Sequence, residues 1–419
     1  MFSDFDRRYV DLSRLPFSDE VQTGIDAAVQ LLPAVDSLHS ASEKSATLLR
    51  RGRAKLLLPL ISSEVETDLN KALKLSPEDP DVWLAMAEAL WKRNAVQEAR
   101  DALSSALRID PNHQRATVMM SRMLRTSCNG RDVTAEQRTA ALDEAIALGK
   151  KAVSISSTDG DSWFALGLAI LQQTVLQGMS AGNLKRTLAT LNQAVSFSSW
   201  NPDVWYNRGV VNRSLGRYGQ AVSDFSRAYE LDPRGLSGAK GLAATSLRML
   251  KGFVQMSAEC ASRENKKMLS RIPAKKGETP MSTVQEAAVA SSASPGRTVF
   301  CSAAIVSLLS PAADQPLSFF AIDKNATPFC ILIPCCLPTA LKRGDVVVFA
   351  VPPAIVEITE QVVPVEVESD AGASSAAPAA PSKVSIAVVH TEAGQILVNG
   401  RPLAASEICS AQLTTRQFQ

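Results

Sequence analysis

The chain has 419 residues, 46% of them hydrophobic, with 44 Lys and Arg against 42 Asp and Glu and a net charge of +2. That length leaves room for about two or three domains with true cores. The near-neutral balance excludes both a uniformly cationic nucleic-acid coat and an acidic disordered chain. The seven cysteines (128, 260, 301, 330, 335, 336 and 409) form no CxxC pair and are odd in number, so they read as small buried hydrophobes of a reducing compartment.

The opening stretch MFSDFDRRYVDLSRL has early acids and no apolar h-region, so it does not read as a secretory signal. No apolar run reaches the roughly 18 residues of a membrane-spanning helix. The expectation is a cytoplasmic protein with no membrane partner, the nucleus being open as a second compartment. Residues 1–44 read as a helical leader, with a helix within 17–40.

A repeat follows over 45–235. In 202–235, Trp205, Gly209, Ala221, Phe225, Ala228 and Pro233 take the fourth, eighth, twentieth, twenty-fourth, twenty-seventh and thirty-second positions. In 80–113, Trp83, Met86, Ala87, Ala99, Leu103, Ala106 and Pro111 fit the same frame without a gap. This is the spacing of tetratricopeptide repeats, helix–turn–helix units of about 34 residues. The small residues let two helices approach, and the proline ends the second helix because it has no N–H to continue it. Residues 46–79 carry Gly52, Leu69, Ala72 and Pro77 with one extra residue near the turn. Residues 114–159 read as helix A, polar turn and helix B, and 160–201 open on Trp163, Leu166 and Gly167 with a lengthened turn near 176–184. About five units, each covering its neighbour's apolar face, make an α-solenoid whose A helices line a groove. Capping helices over 236–272 complete it.

Residues 273–296 are rich in Pro, Gly, Ser and Ala and read as a flexible linker, with a short helix around 282–290. From 297 to 419 the period changes to short β-branched and aromatic runs: RTVFCSAAIVSLLS, PLSFFAID, PFCILIPC, GDVVVFAV, VSIAVVH and GQILVNGRPL. Asn399-Gly400 is a strong turn dipeptide. About five strands in this space indicate a small C-terminal β-barrel, with an OB fold leading. Residues 360–382 read as a disordered insertion. The fold class is therefore mainly α, a tetratricopeptide-repeat solenoid followed by a small barrel. The barrel runs are unusually apolar and read as core or as a protein-docking face.

Catalytic chemistry has no residues to stand on. The three histidines, His39, His113 and His390, lie in different elements, and there is no metal-binding HExxH, Walker loop or GxGxxG. No enzyme activity, metal, cofactor or small-molecule substrate is expected. The groove is the default binding site. Arg122 is the ninth position of the unit starting at 114 and Asp203 the second of the unit starting at 202, and both positions of helix A face the groove. Arg122 reads equally as a solvated helix residue, and Asp203 as a capping acid at its helix N-terminus. Trp91, Phe164, Tyr206 and Asn207 are further groove candidates, whereas Trp83, Trp163 and Trp205 take the consensus packing slot. Arg263, Lys266, Lys267 and Arg271, with Lys275 and Lys276, form a basic cluster that is either a solvated helix end or a phosphate-contacting patch.

The stretches DGDSWFALG (159–167), NPDVWYNRG (201–209), RYGQAVSDFSRAYELDP (217–233), LKRGDVVVF (341–349) and ILVNGRPL (396–403) resemble the Strap-like family, in the same order. That family consists of tetratricopeptide-repeat cofactors with a C-terminal OB fold. The resemblance covers most of 45–403 and implies a non-catalytic adaptor. In one family role the groove reads the N-terminal peptide of nascent tubulin, beginning Met-Arg-Glu, at the ribosome, and a decay adaptor for tubulin mRNA follows. In the other, the protein is a nuclear cofactor that scaffolds acetyltransferase complexes in stress-responsive transcription. By motif, the family's peptide-reading Arg and Asp fall on Arg122 and Asp203, and its lysine-rich ribosome-contacting stretch falls on the 263–271 cluster. The family's later groove acid has no counterpart in RGLSGAK (234–240).

Overall fold

The computed structural model describes residues 3–15, 18–59, 62–128, 130, 133–260, 263–273, 275–276, 279–293, 298–309, 316–334, 338–351, 355–363, 382–391 and 395–407. The chain divides into two compact units, one of residues 1–169 and 193–201, the other of 170–192 and 202–416. Among the described residues no helix is long and apolar enough to cross a membrane.

The first unit opens with α1 (Ser3–Ser13) and α2 (Asp19–Gln30). Sequence periodicity places a helix only within 17–40, so α1 is an addition. Then come α3 (Ala41–Leu56) with α4 (Ser63–Leu75), α5 (Pro80–Lys92) with α6 (Val96–Ile109), and α7 (Gln114–Ser127) with α8 (Ala135–Ile155). Their starts are chemically marked. Pro80 stands at the first turn of α5, where a missing N–H costs nothing, and the Asp79 carboxylate accepts from the Asp81 amide at 2.9 Å. Thr134 and Gln137 close a capping box on α8. α9 (Gly160–Leu176) and α10 (Ala181–Phe197) follow, joined by a turn containing Gly178 and Met179, both at positive φ.

Equivalent positions make equivalent contacts. In the α3–α4 pair a Cβ on Gly52 would lie 2.8 Å from Leu69, and Arg51 donates to Asp68 at 2.6 Å. α11 (Pro202–Ser214) and α12 (Tyr218–Leu231), in the second unit, repeat this: a Cβ on Gly209 would lie 2.9 Å from Phe225, and Arg208 donates to Asp224 at 3.1 Å. The arginine–aspartate separation is 17 residues in the first pair and 16 in the second, which locates the extra residue of the 46–79 unit between its helices. The tryptophans are half-buried rather than central. The Trp83 and Trp163 indoles donate to the carbonyls of Pro77 and Ser157, both at 2.8 Å, and so fasten the preceding turn.

The second unit continues with α13 (Ser237–Ala258) and α14 (Arg263–Leu269) and then becomes β-rich. Lys275–Lys276 (β1) and Thr279–Pro280 (β2) pair as a minute hairpin, and α15 spans Val284–Ala293. Eight strands form one sheet: β3 (Val299–Leu308), β4 (Leu317–Asp323), β5 (Pro328–Ile333), β6 (Val346–Val351), β7 (Ile355–Val363), β8 (Ser382–His390), β9 (Ile396–Val398) and β10 (Arg401–Pro402). Their order is β10-β9-β6-β3-β4-β5-β8-β7, with β5 and β8 parallel and every other pair antiparallel. β6 pairs with β3 while β7, which follows it in sequence, pairs with β8, so the region that the sequence indicates as a small barrel is one mixed sheet with β10 and β7 at its two ends. Phe319, Phe329 and Phe349 pack in its main hydrophobic core.

Two sequence expectations change here. The 273–296 stretch reads in sequence as a flexible linker, but α15 packs Val284 and Ala287 into the barrel core, its start fixed by reciprocal Thr283–Glu286 hydrogen bonds of 3.1 and 2.7 Å. The short helix expected around 282–290 is α15, and what changes is that it is packed rather than part of a flexible linker. The insertion reads as starting at 360, but β7 runs to Val363, and Gln361 is buried. The rest of that segment, 364–381, lies outside the described residues.

Every residue of β4 is buried, because the sheet is covered on both faces. Phe319 and Ala321 point into the barrel, and Phe320 and Ile322 point the other way, onto α12 and α13. Phe320 meets Phe253 edge to face at 5.3 Å. The Tyr218 hydroxyl donates to Ser318 Oγ at 2.7 Å, and the Gln361 side chain donates to the Gly216 carbonyl (2.7 Å) and accepts from the Gly219 amide (3.1 Å). The barrel's apolar outer face is thus a docking face whose partner is the chain's own last repeat.

Candidate peptide-binding site

α7 carries three arginines, Arg115, Arg122 and Arg125, spaced seven and three residues apart and so on one helical stripe. The helix starts where His113 Nδ1 accepts from the Ala116 amide at 3.2 Å. Arg115 donates to Glu88 of α5 at 3.4 Å. Arg122 is half-buried, its guanidinium 3.9 Å from the Asp161 carboxylate in the first turn of α9.

Arg125 differs. It is only 4% exposed, and its Nε has no hydrogen-bond partner among the described residues. Burial, and after it the like charge of Arg122, brings its guanidinium down to about 10. Among the described residues no carboxylate pairs with it, a costly arrangement for a buried cation, and a bidentate carboxylate is a group that relieves it. Sequence reasoning singles out Arg122 and passes over Arg125. The available signal is the second arginine three residues on in SRMLRT, but only the packing of α7 distinguishes it from a solvated side chain.

The other candidates separate by burial. Trp91 is half-buried at the end of α5. Phe164 is fully buried in α9, so it is a core residue and not a groove contact. Asn207 is also fully buried, donating through Nδ2 to the Asp203 carbonyl at 2.8 Å. Tyr206 packs edge to face on Phe225 at 5.6 Å within a hydrophobic cluster, again a packing role. An A-helix position that faces a groove in one repeat faces a neighbouring helix in another, and spacing alone does not separate them. Asp203 sits in the first turn of α11 and is 6% exposed.

In the basic cluster, Lys267 and Arg271 are exposed, and Lys276 lies 3.9 Å over the Phe300 ring. The side chains of Arg263 and Lys266 lie outside the described set. Arg271 and Arg343 line a concavity of about 600 Å³ floored by Gly344, Asp345 and Asn399. The Asp345 carboxylate there is occupied, accepting from the Lys342 amide (2.7 Å) and Asn399 Nδ2 (2.8 Å).

Tetratricopeptide-repeat family models match residues 64–122 and 202–234. Both stretches are tetratricopeptide repeats. Over 217 residues it is 29% identical to Tetratricopeptide repeat protein 5 of Mus musculus, and equally to that of Homo sapiens, covering 51% of this chain and 48% of each relative. The chain thus spans about half the length of the relatives it matches. Among solved structures it is similar to TTC0263, a thermophilic TPR protein of Thermus thermophilus, at 19% identity and a TM-score of 0.39 over 51% of this chain and 99% of that one. The matched stretches fall on α4 through α7 and on α11 with α12, the latter a pair whose glycine and arginine–aspartate contacts repeat those of α3 with α4.

Proposed function

We propose that this tetratricopeptide-repeat chain is a non-catalytic adaptor whose repeats read a short charged peptide, the N-terminus of nascent tubulin at the ribosome, leading to decay of tubulin mRNA. The observation that carries the reading is Arg125: a buried guanidinium whose Nε lacks a partner among the described residues, one turn from the half-buried Arg122. Together they suit an acidic peptide side chain, such as the Glu of Met-Arg-Glu, through charge-assisted hydrogen bonds. Asp203, on α11, is a separate acid candidate for a basic peptide residue. The similarity to Tetratricopeptide repeat protein 5 supports the same direction. Lys267 and Arg271, with Arg263 and Lys266, supply the cations for ribosomal RNA phosphates.

The test is competition between peptides that differ only at the glutamate. Replacing that Glu by Ala should weaken binding at least tenfold, and equal binding of the two peptides would rule out the arginine pair as the reader.

A further inference from the structure

Two stretches far apart in the sequence meet at one cavity. Arg271 follows α14, and Arg343 stands just before β6. Both line the concavity of about 600 Å³, together with Pro273, Val346 and Val348. That volume lies within the roughly 300–1,000 Å³ of pockets that enclose a small ligand. Gly344, at φ +89°, leaves the floor bare, and the Arg271 Nη1 lies 3.9 Å from where a Cβ on it would stand.

The floor is fixed in place. Asn399 Oδ1 accepts from the Val346 amide at 2.9 Å, and its Nδ2 donates to Asp345 Oδ1 at 2.8 Å. Asp345 Oδ2 accepts from the Lys342 amide at 2.7 Å. A carboxylate has about four acceptor sites, so two described bonds leave it able to take a further N–H. The wall is apolar. Val346 and Val348 are half-buried alternate residues of β6 and share one face of the sheet. The β3–β6 register pairs Phe300 with Ala350 on that same face, and Lys276 stands 3.9 Å over the Phe300 ring.

The cavity thus makes three demands of a ligand: an anion for the rim, an apolar body for the wall and an N–H donor for the floor. A bare phosphate meets only the first. A nucleotide meets all three, and in a single strand its base is unstacked and its edge is open. We infer that the cavity seats one nucleotide of a single-stranded RNA, with a phosphodiester between Arg271 and Arg343 and the base against Val346 and Val348. Guanidinium forks match phosphate oxygens, and an N–H edge of the base meets Asp345. The inference rests on the RNA contact of the proposed function and adds to it the reading of a base. It is independent of the peptide contacts of Arg122 and Arg125.

The experiment is fluorescence anisotropy of the full chain with a labelled single-stranded RNA of roughly 10 nucleotides, a length within the site sizes of single-strand binders. Beside it runs the same ribose-phosphate strand without bases. The RNA should bind at least tenfold more tightly than the abasic strand. Arg271→Ala/Arg343→Ala should weaken both strands. Val348→Ala should remove most of the preference for RNA and leave binding of the abasic strand unchanged. Equal binding of the two strands by the wild type would overturn the inference while leaving the phosphate contacts standing, and binding of neither strand would overturn both. Competition by a nucleoside monophosphate as effective as by the unlabelled RNA would also overturn it, in favour of a free nucleotide.

Discussion

At the residue scale, the decisive feature is a cation in the wrong solvent. Arg125 is held in the protein interior without a described acceptor at Nε, an arrangement that weakens the free protein. Arg125→Met keeps the length and apolar stem and removes the charge. The free protein should gain roughly 1–3 kcal/mol, read from its urea midpoint, as replacements of buried charges by well-packed apolar groups do. Binding of the tubulin peptide should fall at least tenfold in the same variant. A stabilised variant with unchanged affinity would make Arg125 a structural oddity. Arg122 could be named from the sequence as a candidate because a motif position falls on it. Arg125 was not, because its burial arises from how α7 packs and no local pattern records that. Phe164 and Asn207 failed as groove residues for the converse reason: their positions matched, and their surroundings are closed.

At the element scale, the repeats were legible because their signals are local. Gly52 and Gly209 mark close helix crossings, and Pro80 and Pro202 mark helix starts. The strands were legible as apolar runs, but such runs do not say what covers each face. Here α12 and α13 cover the outer one, tied by Tyr218 and Gln361. The short helix expected around 282–290 is present as α15, although its packing into the core was not legible, and β7 was cut short because Pro and Ala follow it. The docking makes the last repeat and the barrel interdependent. Tyr218→Ala removes a fully buried ring and its hydrogen bond to Ser318, which should cost about 3–5 kcal/mol. Urea unfolding followed by helical circular dichroism and by a probe in the barrel should shift together. A shift in the barrel signal alone would mean that the repeat does not depend on it.

At the scale of the whole molecule, a near-neutral chain carries its charge in patches. The exposed Lys267 and Arg271 belong to a cluster suited to phosphates, and phosphate contacts depend steeply on salt through counter-ion release. Co-sedimentation with ribosomes should fall sharply between low and physiological salt, and Lys267→Ala/Arg271→Ala should flatten that dependence. Ribosome binding indifferent to both would remove the cluster from the account.

The central claim is that the repeats read an acidic tubulin N-terminal peptide, and fluorescence anisotropy tests it most directly. A labelled peptide beginning Met-Arg-Glu is titrated with the full chain beside a scrambled peptide, and then with Arg122→Ala. The account predicts at least tenfold preference for the native order and loss of that preference in the variant, a change of about 1.4 kcal/mol or more. Equal binding of both peptides, or an Arg122→Ala protein that discriminates as well as the wild type, would contradict it.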